Sequence, residues 1–159
     1  MPSIGMYRPM SKLVVGLLAV GVLASAGAAM RAAAQSDPPV TPDAAVAAYC
    51  AAWNTTDRST RDRLLARVWA ADGVYSDPEP TLAAGRAALG DAITEFQHHY
   101  PDARFRCSAP QTHHRAMRVS WILLRPDGTQ LAQGMDFYDL APNGRISRVV
   151  GFFGAPPAP

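Results

Sequence analysis

From Thr41 onward the chain reads as three helical stripes followed by long alternating segments. Thr41-Pro42-Asp43 opens the first helix: Thr caps, Pro suits the first helical position and Asp favours the positive end. Val46, Tyr49, Cys50 and Trp53 recur at helical spacing up to about Asn54, where Asn54-Thr55-Thr56-Asp57 breaks the pattern. A second helix runs from about Ser59, with Leu64, Leu65, Val68 and Trp69 as one apolar stripe, and ends within 70–73. Val74 to Asp77 is a short strand, stopped by Pro78-Glu79-Pro80. Gly85 precedes a third helix marked by Leu89, Ile93, Phe96 and Tyr100, which Pro101-Asp102 ends. The period then changes to two. Strands are predicted over 104–109, 113–125, 130–140 and 146–153. Met117, Val119, Trp121 and Leu123 share one face, and Pro126-Asp127-Gly128 and Pro142-Asn143-Gly144 are turns. Helices first and antiparallel strands last predict an α+β fold, a conical curved antiparallel sheet wrapped around three helices.

The residues before Thr41 follow a different rule. Arg8 and Lys12 precede a charge-free run, Leu13 to Ala29, and small residues lead to Ala32-Ala33-Ala34. That order is a secretory signal peptide, cut after Ala34 or, alternatively, Ala29. An uncleaved membrane anchor is the rival reading. The predicted organisation is signal peptide 1–34, linker 35–40, domain 41–154 and a loose Pro-rich tail 155–159. Of 15 basic residues, Arg8, Lys12 and Arg31 leave with the signal, so 12 face 13 acidic ones. A near-neutral domain gives no footprint for nucleic acid. No membrane partner is expected once the signal is cleaved, and the location is secreted or periplasmic. Cys50 and Cys107 are the two cysteines, and in an oxidising compartment they either pair or stay as buried thiols. No Cys/His spacing resembles a metal site, and no cofactor is expected.

The order of elements, the Asp77-Pro78 after the first strand, the Gly85 before the third helix, and the Asp127-Gly128 and Asn143-Gly144-Arg145-Ile146 turns resemble the nuclear transport factor 2-like superfamily. Within it, the SnoaL-like (polyketide cyclase-like) proteins and the ketosteroid isomerases are nearest, over about residues 41–153. The resemblance implies a cofactor-free isomerase or cyclase acting on a small apolar carbonyl compound. Asp77 matches the family's general base. Tyr49, in Tyr49-x-Ala51-Ala52-x-Asn54, matches its oxyanion tyrosine, and Asp136, eight residues before Gly144, its donor aspartate.

The chemistry is coherent. A carboxylate can take a proton from carbon beside a ketone and return it elsewhere. The enolate formed needs donors already in place. A Tyr hydroxyl donates, and an Asp donates only if an apolar site keeps it protonated; ketosteroid isomerase is itself the worked example of that arrangement. Asp136 lies between Met135 and Phe137, which suggests apolar company. Each residue also has a plainer reading: Asp77 as a turn cap before Pro78, Tyr49 as core, Asp136 as a fold feature. Alternation places Tyr75 beside Asp77, and His113 on the face of Val119 and Trp121. Trp53, Phe96 and Trp121 are further candidates to line a pocket for a small hydrophobic molecule, while Trp69, Phe137 and Phe152 are expected mostly as core. The outward sheet face, with Ser120, Ile122 and Leu124, is a candidate homodimer surface. A non-catalytic binding module and an assembly domain with a filled pocket are the alternatives.

Overall fold

The structure, a computed structural model, describes residues 38–79 and 82–158. The expected signal peptide, and the linker as far as Asp37, lie outside the described residues. Helix α1 (Pro42–Trp53) starts as its sequence dictates: Thr41 Oγ1 accepts from the Ala44 N–H at 3.3 Å, and Pro42 follows. Its buried face is Ala45, Val46, Tyr49, Ala52 and Trp53. Helix α2 (Arg58–Val68) is capped by Asp57, whose carboxylate accepts from the Thr60 N–H at 2.7 Å. Asp57 therefore starts this helix as well as ending the break before it.

Seven strands follow the helices or alternate with them: β1 (Trp69–Ser76), β2 (Leu82–Ala84), β3 (Arg104–Cys107), β4 (Gln111–His113), β5 (Ala116–Leu124), β6 (Gln130–Leu140) and β7 (Ile146–Phe153), with α3 (Gly85–His99) between β2 and β3. The sheet order is β2-β1-β7-β6-β5-β3, and β4 also pairs with β5. All pairings are antiparallel except β1–β7, which is parallel. The fold is α+β: an unclosed mixed sheet with the helices packed on one face.

Two local expectations are corrected. Trp69 does not extend the stripe of α2; it begins β1, opposite Ile146. The residues between Trp69 and Val74 bulge, because the next β7 partner, Arg148, is only two positions on. The bulge closes over the indole: a Cβ at Gly73 would stand 2.6 Å from Trp69 Nε1. The second correction is at His113. It ends β4, not a long strand to Arg125, and a turn through His114, at φ 52°, separates it from β5. The turn resets the alternation, so His113 is exposed while Met117, Val119, Trp121 and Leu123 are buried as expected.

One apolar core joins the helices to the inner sheet face, centred on Leu65, Trp69, Leu89, Ile93, Val119, Ile146 and Val149. Arg61 is buried with it, 2 % exposed. Its guanidinium donates to Thr55 O, Gln97 Oε1 and Thr94 Oγ1 at 3.2, 3.1 and 2.7 Å. Gln97 Nε2 in turn donates to Trp53 O and Thr55 O, both at 3.0 Å, so this cluster locks the α1–α2 loop to α3. Val40, at the end of the expected linker, belongs to the domain. Its N–H donates to Asn143 O at 2.9 Å, and it packs on the core. Gly144 makes this possible: φ is 78°, and a Cβ there would overlap the Val40 backbone.

Cys50 and Cys107 form a disulfide between α1 and the edge strand β3, with Cα atoms 6.4 Å apart. Beside it, the Asn54 side chain clamps Phe105, donating to its O at 2.8 Å and accepting from its N–H at 2.7 Å.

Candidate active site

Three elements bring polar groups to the inner face of the sheet, and a fourth brings a bare backbone position. Helix α1 supplies Tyr49, β1 supplies Tyr75 with Asp77 directly after its end, and β6 supplies Asp136 and Tyr138. Strand β7 supplies only a glycine, Gly151, directly opposite Asp136 in register. A Cβ at Gly151 would lie 3.1 Å from Asp136 Oδ1 and 3.4 Å from Asp77 Cβ. The two acids therefore stand on either side of one bare backbone position. Its φ is not in the left-handed region, so what crowds Gly151 is these two side chains rather than backbone conformation.

Asp136 is 9 % exposed, and both of its oxygens accept hydrogen bonds. Trp121 Nε1 donates to Oδ1 at 2.8 Å, and the Tyr138 hydroxyl donates to Oδ2 at 3.1 Å. Burial raises its pKa to about 6; the two hydrogen bonds oppose the rise, and the negative charge of Asp77 adds to it. At pH 7 such a group is mostly ionised, so Asp136 is not held permanently protonated. The expected apolar company of Met135 and Phe137 is also corrected. Alternation turns them to the other face, and the side chains that reach the carboxyl are those of Trp121 and Tyr138.

Asp77 is half-buried. The Tyr75 hydroxyl donates to Oδ2 at 2.6 Å and the Glu79 N–H to Oδ1 at 3.0 Å. Alternation had placed Tyr75 and Asp77 together, and they are bonded. The second bond is that of a turn cap before Pro78, so the plainer reading of Asp77 has a physical basis too.

Tyr49 is 3 % exposed. Its ring stacks on Trp69 at 5.7 Å and meets Trp53 and Tyr138 edge-on. Its buried hydroxyl finds no hydrogen-bond partner among the described residues. Burial first, then the charge of Asp136, push its pKa well above the usual tyrosine value, against a smaller opposing pull from the neighbouring Trp53 side chain, which can only donate and so leaves the Tyr49 hydrogen free. Tyr49 thus stays a protonated donor with its hydrogen uncommitted. Burial acts the same way on Tyr75 and Tyr138.

Trp53, Tyr75, Phe96 and Trp121 lie along one aromatic belt, Trp121 joining it through Phe105. Trp53 meets Tyr75 at 5.4 Å and Phe96 at 5.5 Å. Phe105 closes the belt, 5.7 Å from Trp53, 5.2 Å from Phe96 and 5.4 Å from Trp121. His113 is not part of it; it lines two surface depressions of about 650 and 350 Å³, neither of which touches Tyr49, Asp77 or Asp136. Phe137 and Phe152 are not core. They are 45 % and 55 % exposed on the outer face, edge-to-face at 6.0 Å. Sequence reasoning missed Phe105, Tyr138 and Gly151. The alternation of Arg104–Cys107 and of Asp136 with Tyr138 carried the first two; Gly151 gave no signal apart from a glycine inside a strand.

The SnoaL-like domain family matches residues 46–149, a span that holds all three candidate catalytic residues. The chain belongs to the SnoaL-like family. Among solved structures, a proposed isomerase of that family from Agrobacterium tumefaciens str. C58 is 34 % identical, with TM-score 0.66 over 70 % of this chain and 95 % of that one. A proposed ketosteroid isomerase from Kribbella flavida DSM 17836 is 22 % identical, TM-score 0.54, over 74 % of this chain and 81 % of that one. A proposed polyketide cyclase from Sinorhizobium meliloti is 16 % identical, TM-score 0.53, over 67 % and 92 %. At these lower identities the likeness is one of fold. No curated protein matches the chain.

Proposed function

We propose that this SnoaL-like protein is an exported, cofactor-free isomerase or cyclase that moves a proton on a small, largely apolar carbonyl compound. The observation that carries the reading is the uncommitted Tyr49 hydroxyl, buried in the field of the two acids that flank Gly151. Asp77 accepts a proton from the carbon beside the carbonyl, and the C–H electron pair moves into the ring or chain as the carbonyl oxygen becomes an enolate oxygen. Tyr49 donates a hydrogen bond to that oxygen. Asp136, in its protonated form, donates a second. Asp77 then returns the proton to a different carbon, and the carbonyl re-forms. The aromatic belt of Trp53, Phe96, Phe105 and Trp121 supplies apolar contact to the substrate's body.

Asp136 titrates near 6, so the doubly donating form is lost as pH rises through that value, and turnover falls with it. The names of the Agrobacterium and Kribbella relatives point to isomerisation and to ketosteroids as the substrate class to try first. The Cys50–Cys107 bridge supports export, since such bonds persist in oxidising compartments. The exposed Phe137–Phe152 pair supports a second copy of the chain on the outer sheet face.

A non-catalytic module binding a small hydrophobic ligand is the second reading, favoured by the turn-capping bond from Glu79 to Asp77. Ultraviolet-monitored conversion of a Δ5-3-ketosteroid to its conjugated isomer separates the two. Turnover by wild type and not by Asp77→Asn supports proton transfer. Ligand binding that is indifferent to replacing Asp77 and Asp136 together, with no turnover, supports the module.

A further inference from the structure

Asp136 is approached from five elements, and the donors that reach it are unlike one another. Tyr49 stands on α1, Asp77 after β1, Trp121 on β5, Tyr138 on β6 and Gly151 on β7. Of the two groups bonded to the carboxyl, the Tyr138 hydroxyl can donate or accept, so it tolerates a proton on Oδ2. The indole Nε1–H of Trp121 can only donate. A proton on Oδ1 in its direction would set two hydrogens against each other.

The indole is also held in place. Its cross-strand partner on β6 is Gly134, two residues before Asp136. A Cβ at Gly134 would stand 2.8 Å from Cε2 of the indole and would also collide with its Cζ2 and with the Phe152 carbonyl. Phe105 and Phe153 box the ring edge-on at 5.4 and 5.8 Å. The N–H is thus aimed at Oδ1 before any ligand arrives, and Gly151 leaves the carboxyl just enough room beside it.

We infer that Trp121 is a positioning residue: its indole N–H keeps Asp136 Oδ1 a permanent acceptor, so that Oδ2, beside Tyr138, is the oxygen that gains and loses the proton. The consequence for turnover rests on the proton-transfer reading above; the titration itself does not. Trp121 is then both a wall of the aromatic belt and the group that orients the acid next to it.

The test is a pH titration from 4 to 8 of the full chain, following the indole 1H–15N signals and the Asp136 carboxyl carbon by NMR. The Trp121 signal should move with the Asp136 midpoint, while those of Trp53 and Trp69 stay flat. Trp121→Phe should raise that midpoint by about one unit, because a donor to the charged form is lost. Tyr138→Phe should raise it less. A Trp121 signal that stays flat through the Asp136 titration overturns the inference. So does an unchanged or lowered midpoint in a folded Trp121→Phe protein. If that variant does not fold, the wild-type indole titration decides alone. Co-titration without ketosteroid turnover removes the ketosteroid isomerase reading and leaves this one standing. Turnover with uncoupled titration does the reverse.

Discussion

Breaking the Cys50–Cys107 bridge is the perturbation whose size the structure fixes best. The bridge spans 57 positions and encloses α2, β1, β2 and α3, that is, most of the helical layer. Closing a loop of that length removes denatured-state entropy equivalent to about 4 kcal/mol at 25 °C. Native geometry at the bridge does not depend on it alone, because the Asn54 side chain holds both the N–H and the carbonyl of Phe105 on the same edge strand. A Cys50→Ser, Cys107→Ser protein should therefore fold to the same structure and lose stability chiefly through a freer unfolded chain. For a domain of this size, Tm should drop by roughly 10–20 °C. Urea unfolding with and without a thiol reductant reads the same quantity: the midpoint falls in the double mutant and in reduced wild type, and the slope rises because the released chain exposes more surface. Coincident curves for the oxidised, reduced and mutant proteins would refute the reasoning, and with it the bridge as support for an oxidising compartment.

Three further outcomes follow from single sites. Asp136 has a folded pKa of about 6 against 3.8 for a free aspartate, so the native state binds more protons between those values and stability falls as pH rises from about 4 to 6. The shift corresponds to about 3 kcal/mol, read as the loss of that slope in Asp136→Asn. Below pH 4 the sign reverses through Asp57, which hydrogen bonds from Thr60 and Ser59 lower to about 2. Gly144→Ala should destabilise by more than about 1 kcal/mol and expose the Val40 N–H to hydrogen exchange, because both the positive φ and the Val40 backbone oppose a side chain. Arg61→Ala should cost roughly 3 kcal/mol in denaturant unfolding, since it empties a buried site and strands Thr94 and Gln97 without their donor.

The architecture was legible because it is written in periods. The buried set Met117, Val119, Trp121 and Leu123 follows from alternation alone, and the start of α1 from Thr41-Pro42. What failed was local resolution of non-local facts. Trp69 continues the spacing of Leu65 and Val68, yet it is buried by pairing with Ile146, almost eighty residues away. His113 was misplaced because the turn after it uses a left-handed His114, with no glycine to announce it. The parallel β1–β7 pair has no local signature either. At the site, Tyr49, Asp77 and Asp136 were picked out as candidates through family resemblance, since no sequence period joins a helix, a strand end and a distant strand. Their protonation was not legible: the pKa of Asp136 is set by burial working against hydrogen bonds from Trp121 and Tyr138, and only the folded chain brings these together.

The Tyr49 hydroxyl is where stability and function make opposite demands. A buried hydroxyl without a partner costs about 1–3 kcal/mol. The ring contacts around it need no such group: it stacks on Trp69 and meets Trp53 and Tyr138 edge-on. Phenylalanine would keep every one of those contacts. If Tyr49 were only core, Tyr49→Phe would be the better residue, more stable by about 1 kcal/mol with nothing lost. If its hydrogen is reserved for a developing enolate, the same substitution still stabilises the protein but lowers kcat by about 10²–10³, the usual effect of removing one such donor. The two measurements, urea unfolding and ketosteroid isomerisation, must therefore move in opposite directions. A destabilised Tyr49→Phe would mean that the hydroxyl is already satisfied in solution, and Tyr49 would then have no uncommitted donor to offer a substrate.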